Sequence, residues 1–404
     1  MAPGLLIRFR PTGPWRIGPD SGDRDRVDRI YHSDSLFSAV CSAMAQLGDL
    51  DPWLAATAQS SDPAVRFSSC FPFQGDTRYI VPPRSMWPPA ASSKIRWKAA
   101  RFIPLSLVES LLQGHPISED AWTIDVQSEC LIPSSSAQGP FRIAVRSSAA
   151  VDRDGLSVLP HSSACLEFTP SSGLWMMAGF SGPKARDRWT APLTAALRLL
   201  ADSGFGGERS RGWGRSEMPE ITPGDLPDLL LRSSKAQDSS GYWLLSLFHP
   251  SSEDQVDWTQ GNYALHTRGG RVESKGDAKK PTRMVAEGSV LVSSAALLGE
   301  ATDVAPDGFP HPVYRSGFAL AVSLPVALVR VPPVRVAPPP PEPEVPSAPA
   351  QLDLIEPEYA SPDDQAEDLA VEPASNRDRQ EADPDPDPDS DSDKAPEGPP
   401  EDAE

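Results

Sequence analysis

Hydrophobic and polar positions alternate from the start of the chain. Leu5, Ile7 and Phe9 fall on one face of the segment Leu5 to Arg10, and Arg8 and Arg10 fall on the other, which predicts a half-buried opening strand. After a charged loop from Asp20 to Arg29, Ser33 or Asp34 can cap a helix with an apolar stripe through Leu36, Phe37, Val40, Met44 and Leu47, and Gly48 would end it. Pro72 to Pro89 is too rich in proline and aromatic residues to assign. Lys94, Arg96, Lys98 and Arg101 then alternate with Ile95, Trp97 and Phe102, a basic strand or loop leading into a short helix, Leu105 to Leu112. Strand patterns follow at Phe141 to Val145, Cys165 to Thr169 and Leu174 to Phe180. A second amphipathic helix, capped by Thr190 with Pro192 in its first turn, places Leu193, Leu197 and Leu200 inside and stops at Ser203-Gly204. Strand-like stretches resume at Tyr242 to Phe248, Tyr263 to Thr267, Ser289 to Ser293 and Phe318 to Val331. This order predicts an α+β fold built of ferredoxin-like βαββαβ units.

From Pro332 the pattern stops. The last 73 residues hold 18 prolines, 22 acidic residues and 4 basic ones, with almost no large apolar side chain. Such a segment cannot bury enough surface to offset its chain entropy and is expected to be a disordered acidic tail. The net charge of −19 is therefore a property of the tail, because the preceding residues carry 33 Lys and Arg against 34 Asp and Glu. A balanced body leaves nucleic-acid binding open despite a sequence pI near 4.7.

Four separated cysteines, Cys41, Cys70, Cys130 and Cys165, form no CxxC pair and have no histidine at zinc-ligand spacing, so they read as reduced, mostly buried thiols. No metal or other cofactor is expected. Arg8, Arg10 and the early prolines break the apolar stretch a signal peptide needs, and the longest apolar run, Gly317 to Val329, is interrupted by Ser323 and Pro325. The expectation is a cytoplasmic protein that does not enter the membrane.

The most informative stretch is the loop from Gly204 to Arg215. Gly204, Gly206, Gly207, Gly212 and Gly214 free the backbone to approach a ligand, while Arg209, Arg211 and Arg215, beside Ser210, supply guanidinium forks matched to phosphate oxygens. A nucleoside-triphosphate loop would need GxxxxGK[ST] and this segment has no lysine; a dinucleotide fingerprint starting at Gly204 would need glycine where Arg209 stands. Contact with an RNA or polyphosphate backbone remains, against the plainer alternative of a flexible turn with solvated arginines.

The helix start His32 to Ala39, the basic segment Lys94 to Pro104, the stretch Arg142 to Arg153 and the loop Gly204 to Arg215 resemble the RAMP-superfamily proteins of CRISPR effectors. Gly269 to Ser274 and Met284 to Val290 are similar, more narrowly, to the fourth Csm subunit of type III-A complexes. The resemblance spans residues 5 to 331. It implies two ferredoxin-like (RRM-like) domains, residues 1–220 with the glycine-rich loop at 204–215 and residues 221–331, followed by the tail, 332–404. It also implies a non-catalytic subunit that caps the 5′ handle of the guide RNA and bridges the large polymerase-like subunit to the backbone RAMP subunits. Carried over residue by residue, Gly204, Gly206, Gly207, Arg209, Ser210, Arg211, Gly212, Gly214 and Arg215 would contact handle phosphates. His32 and Ser33 would add donors at a helix start. Arg142, Arg146 and Arg153 are further candidates, and Lys94 and Lys98 weaker ones; for each of these basic residues a solvated surface charge is an equally good reading. The tail departs from the family pattern.

The competing reading is a guide-processing RAMP endoribonuclease, which would need a histidine general base. Only His32 lies beside an RNA-facing element, and no acid stands at a spacing that would complete a pair, so no catalytic residue is assigned. The aspartates at 20, 23, 25 and 28 alternate with Arg24, Arg26 and Arg29 and read as a salt-bridged loop, not a metal site.

Overall fold

A computed structural model describes residues 2–19, 22–89, 95–151, 158–226, 228–231, 240–272, 276–325 and 328–329, all within one compact unit spanning Met1–Val336. The acidic tail, Lys94 and Arg153 lie outside the described residues. In chain order the first part contains β1 (Ala2–Phe9), α1 (Ser33–Leu47), α2 (Leu50–Ala56), β2 (Val65–Phe67), β3 (Phe71–Gln74), β4 (Thr77–Ile80), β5 (Ile103–Pro104) and α3 (Leu105–Leu112). It continues with β6 (Trp122–Asp125), β7 (Cys130–Pro133), β8 (Phe141–Val151), β9 (Val158–Phe168), β10 (Ser172–Phe180), α4 (Pro183–Ser203) and β11 (Glu220–Leu226). The second part adds β12 (Gly241–Leu244), β13 (Val256–Asn262), β14 (Leu265–Arg268), β15 (Thr282–Val285), β16 (Val290–Ser293), β17 (Ala301–Asp303), β18 (Tyr314–Ser316) and β19 (Ala321–Leu324). The fold class is α+β.

The first sheet runs β11-β1-β10-β3-β4-β5, with β2 pairing the end of β10, and its ladders are antiparallel. β10 is its central layer, and all nine of its residues are buried. Period-two alternation sends Leu174, Met176 and Ala178 with Leu5, Ile7 and Phe9 toward α1 and α4, while Trp175 and Met177 point into a second core with Phe71, Phe73 and Trp243. Two-sided burial is why β10 reads as an unbroken apolar run, Leu174 to Phe180, and burying each such large side chain stabilises the fold by about 1.5–3 kcal/mol.

The helix faces follow the sequence stripe. Leu36, Phe37, Val40 and Met44 of α1 are buried, and Gly48 at φ 81° ends the helix, its amide bonding back to Ala45; Leu47, expected inside, is 42% exposed. α4 begins at Pro183, not at the cap expected at Thr190, so Pro192 stands in its interior. Pro183 is the proline that occupies the first turn, where a missing amide costs nothing. Thr190 instead returns its hydroxyl to the Arg186 carbonyl, 2.7 Å away.

The second sheet, β13-β16-β12-β19, lays Trp243, Val290, Val322 and Leu324 against the back of the first. Among the described residues from 240 to 329 there are strands but no α-helix, so the strand–helix alternation expected there is visible only in its strands. The first sheet already covers the inner face that helices would otherwise bury.

A basic cleft between three elements

The glycine-rich loop is tightly fastened. Phe205 packs edge-to-face on Trp15, with ring centroids 4.4 Å apart, and on Phe9, at 5.2 Å. The Gly207 amide donates to the Arg16 carbonyl at 2.7 Å, the Gly214 amide to the Pro14 carbonyl at 2.9 Å, and the Trp15 indole to the Arg215 carbonyl at 2.9 Å. At Gly206 (φ +89°) a Cβ would stand 2.5 Å from the Arg16 carbonyl oxygen, and at Gly214 (φ +81°) 2.1 Å from that of Phe205. These two glycines thus serve the crossing of the loop over the segment after β1.

That crossing forms one wall of a cleft of about 330 Å³. Gly206, Gly207 and Arg209 line it from the loop, Tyr31, His32, Asp34, Ser35 and Ser38 from the start of α1, and Arg268 to Arg271 with Lys279 and Arg315 from the second part. Five of the lining side chains are Arg or Lys against a single carboxylate, Asp34.

Asp34 is spent on the cleft's own construction. It accepts from Arg268 Nε and Nη2, each at 3.0 Å, and from Arg315 Nη1 at 2.7 Å, while Arg315 Nη2 reaches the Gly269 carbonyl at 2.5 Å. Burial opposes ionisation of Asp34, but the two guanidiniums prevail and hold its carboxyl far below the usual range. Beside it, His32 Nδ1 bonds Glu287 at 2.7 Å and Nε2 bonds Asp28 at 3.1 Å; Ser69 also donates to Glu287. Burial alone would lower the His32 pKa, yet Glu287 and Asp28 outweigh it and raise it to about 9. His32 is therefore an imidazolium at neutral pH with both ring protons committed, a geometry with no free base for proton abstraction.

The other expected positions separate into groups. Ser33 is buried, its Oγ accepting from the Leu247 amide at 3.0 Å and its amide donating to Ser69. Arg211 leaves the cleft for the long β8–β9 hairpin, donating to Ser148 Oγ and bonding His161 Nε2. Arg142 and Arg146 clamp opposite oxygens of Glu167 on that hairpin. Gly204, Ser210, Gly212, Gly214 and Arg215 support or flank the cleft without lining it, and Lys98 is exposed on a short helical turn outside it. The sequence reasoning missed Arg268, Lys279 and Arg315. Gly269-Gly270-Arg271 repeated the glycine–arginine combination of the loop and could have pointed to this wall. The aspartate-rich loop likewise contributes a half-buried Asp28 to the pair with His32, and the Arg16 guanidinium gathers the loop by donating to the carbonyls of Asp23, Arg24 and Arg26. Among the described residues no cluster of three or more His, Cys, Asp or Glu could hold a metal, and no helix is long and apolar enough to cross a membrane.

Residues 237–324 match the family profile described as CRISPR Csm4 C-terminal domain. The matched stretch lies in the second part of the chain, from β12 to β19. The crystal structure of the Csm3–Csm4 subcomplex in the type III-A CRISPR-Cas interference complex shares the fold, with a TM-score of 0.55, 18% identity, and coverage of 80% of this chain and 99% of that one. That likeness is one of fold. Crystal structures of the Csm1–Csm4 cassette in complex with cA4 and with pppApA align over the same 80% of the chain and 98% of theirs, at 20% identity and TM-scores of 0.49 and 0.48. No curated protein sequence matches the chain.

Proposed function

We propose that this Csm4-type chain is a non-catalytic RNA-binding subunit of a type III-A CRISPR effector complex, and that it grips the backbone of the guide RNA 5′ handle in the basic cleft. The observation that carries the reading is the meeting of Gly206-Gly207, the α1 start and the Arg268–Arg271 wall around one space, with Arg209, Arg271 and Lys279 on its sides. Backbone approach at glycine and cationic side chains are what phosphate contact requires. Asp34 and His32 act as fixtures: they tie the second part of the chain to α1 and so set the width of the cleft. The committed state of His32 weighs against the endoribonuclease alternative.

The first sheet supports the ferredoxin-like reading. Taken as β1, β3, β10 and β11, its strands follow the order fourth–first–third–second, with α1 and α4 on one face. The second part, beginning after β11, is read as the other RRM-like unit, of which the described residues show the sheet and hairpins. On this reading the partners are a large polymerase-like subunit and a backbone RAMP subunit, in the cytoplasm; the fold likeness to the Csm3–Csm4 subcomplex supports the second of them. Photocrosslinking of the assembled complex, followed by mass spectrometry, tests the site. The reading expects guide-RNA adducts on the 206–209 and 268–271 segments, and adducts confined to other surfaces would reject it.

A further inference from the structure

Away from the cleft, three of the seven large apolar side chains exposed among the described residues fall close together: Trp258, Tyr263 and Leu265, at 39%, 36% and 51% exposure. Trp258 and Tyr263 meet edge-to-face, ring centroids 5.2 Å apart and planes at 71°, so each ring keeps at least one face clear of the other. The backbone between them is fixed. The Asp257 carboxylate accepts from the Thr259 amide and from Gln260 Nε2, Asn262 Nδ2 donates to the Arg84 carbonyl at 3.2 Å, and the Ala264 amide donates to Ser289 Oγ at 3.2 Å.

β14 starts at this pair and ends at the cleft. Its buried face carries His266 and Arg268, the latter a cleft wall; its exposed face carries Leu265 and Thr267, and Arg283 of β15 stands directly opposite Thr267. Three residue steps place Leu265 about 10 Å from Arg268. Arg283 makes no ion pair with the described residues.

We propose that this strip is a second RNA contact, in which unpaired bases leaving the cleft along β14 stack on Trp258 and Tyr263 while Arg283 faces the backbone. The proposal rests on the cleft reading and extends it. Stacking on an aromatic face with a nearby guanidinium is the usual sequence-tolerant grip on single strands. The exposed parts of the two rings and Leu265 amount to roughly 200–300 Å², room for one or two bases. A stable protein interface buries about 800 Å² on each partner, which this strip does not offer.

Fluorescence anisotropy of the full chain with labelled single-stranded oligoadenylates of increasing length tests this. Wild type should show a step in affinity of about tenfold once the RNA is long enough to pass from the cleft to the platform. The Trp258→Ala/Tyr263→Ala variant should lose the step while binding the short RNA as wild type does, and Trp258→Phe should retain most of it. A step of equal size in the double variant overturns the platform and leaves the cleft reading standing. Loss of a co-purifying protein with unchanged RNA affinity assigns the strip to a protein partner and also overturns it. Failure of wild type to bind oligoadenylate of any length overturns both readings.

Discussion

Asp34, in the first turn of α1, accepts two hydrogen bonds at 3.0 Å from the Arg268 guanidinium at the end of β14, and both side chains are almost wholly buried. This pair joins the two parts of the chain across the floor of the cleft. Removing the carboxylate in Asp34→Ala strands both Arg268 and Arg315 without their counter-charge, and the expected cost is about 3–5 kcal/mol of stability by urea unfolding. Arg268→Lys, which keeps the charge but loses the fork, should cost less while still loosening the wall.

The neighbouring histidine predicts a pH dependence. A group whose folded pKa is raised stabilises the protein fully below its unfolded value and loses that contribution as pH rises through the folded one. For His32 the window runs from 6.5 to about 9, and the shift corresponds to about 3 kcal/mol. Asp28, Asp34 and Glu287 are shifted downward, each by opposite charge that outweighs burial, so their contribution is present at neutral pH and lost on acidification. Thermal melts from pH 6 to 10 should show a decline that His32→Asn flattens; a wild-type decline shared unchanged by the variant would contradict the assignment.

The two ends of the glycine loop should respond differently to alanine. Gly212 (φ +78°) has open space where a Cβ would go, so Gly212→Ala meets only left-handed backbone strain of about 1–2 kcal/mol. At Gly214 the same strain adds to a contact 2.1 Å from the Phe205 carbonyl. Gly214→Ala should therefore lower the melting temperature clearly more than Gly212→Ala, and equal losses would contradict the described loop path.

Much of this was legible beforehand. Leu5, Ile7 and Phe9 declared β1 by alternation, the α1 stripe predicted its buried face, and the Gly204–Arg215 loop marked one side of the cleft because its residue types are unusual together. The start of α4 was missed because two prolines, Pro183 and Pro192, could each occupy a first turn, and a local rule cannot choose between them. Arg268 and Arg315 were missed for a different reason. Each is an ordinary strand arginine in sequence, and only the fold brings them, from more than 230 positions away, onto Asp34. Ser33 and His32 were legible as a helix start but not as buried fixtures, since their partners Leu247 and Glu287 lie in the second part.

The most direct test of the central claim is RNA affinity of the full chain as a function of salt, for wild type and for Arg209→Ala/Arg271→Ala. Both positions line the cleft. The account predicts weaker binding and a shallower plot of log affinity against log salt, by about 0.7 for each single-strand phosphate contact removed. An unchanged slope and unchanged affinity in a folded double variant would contradict it.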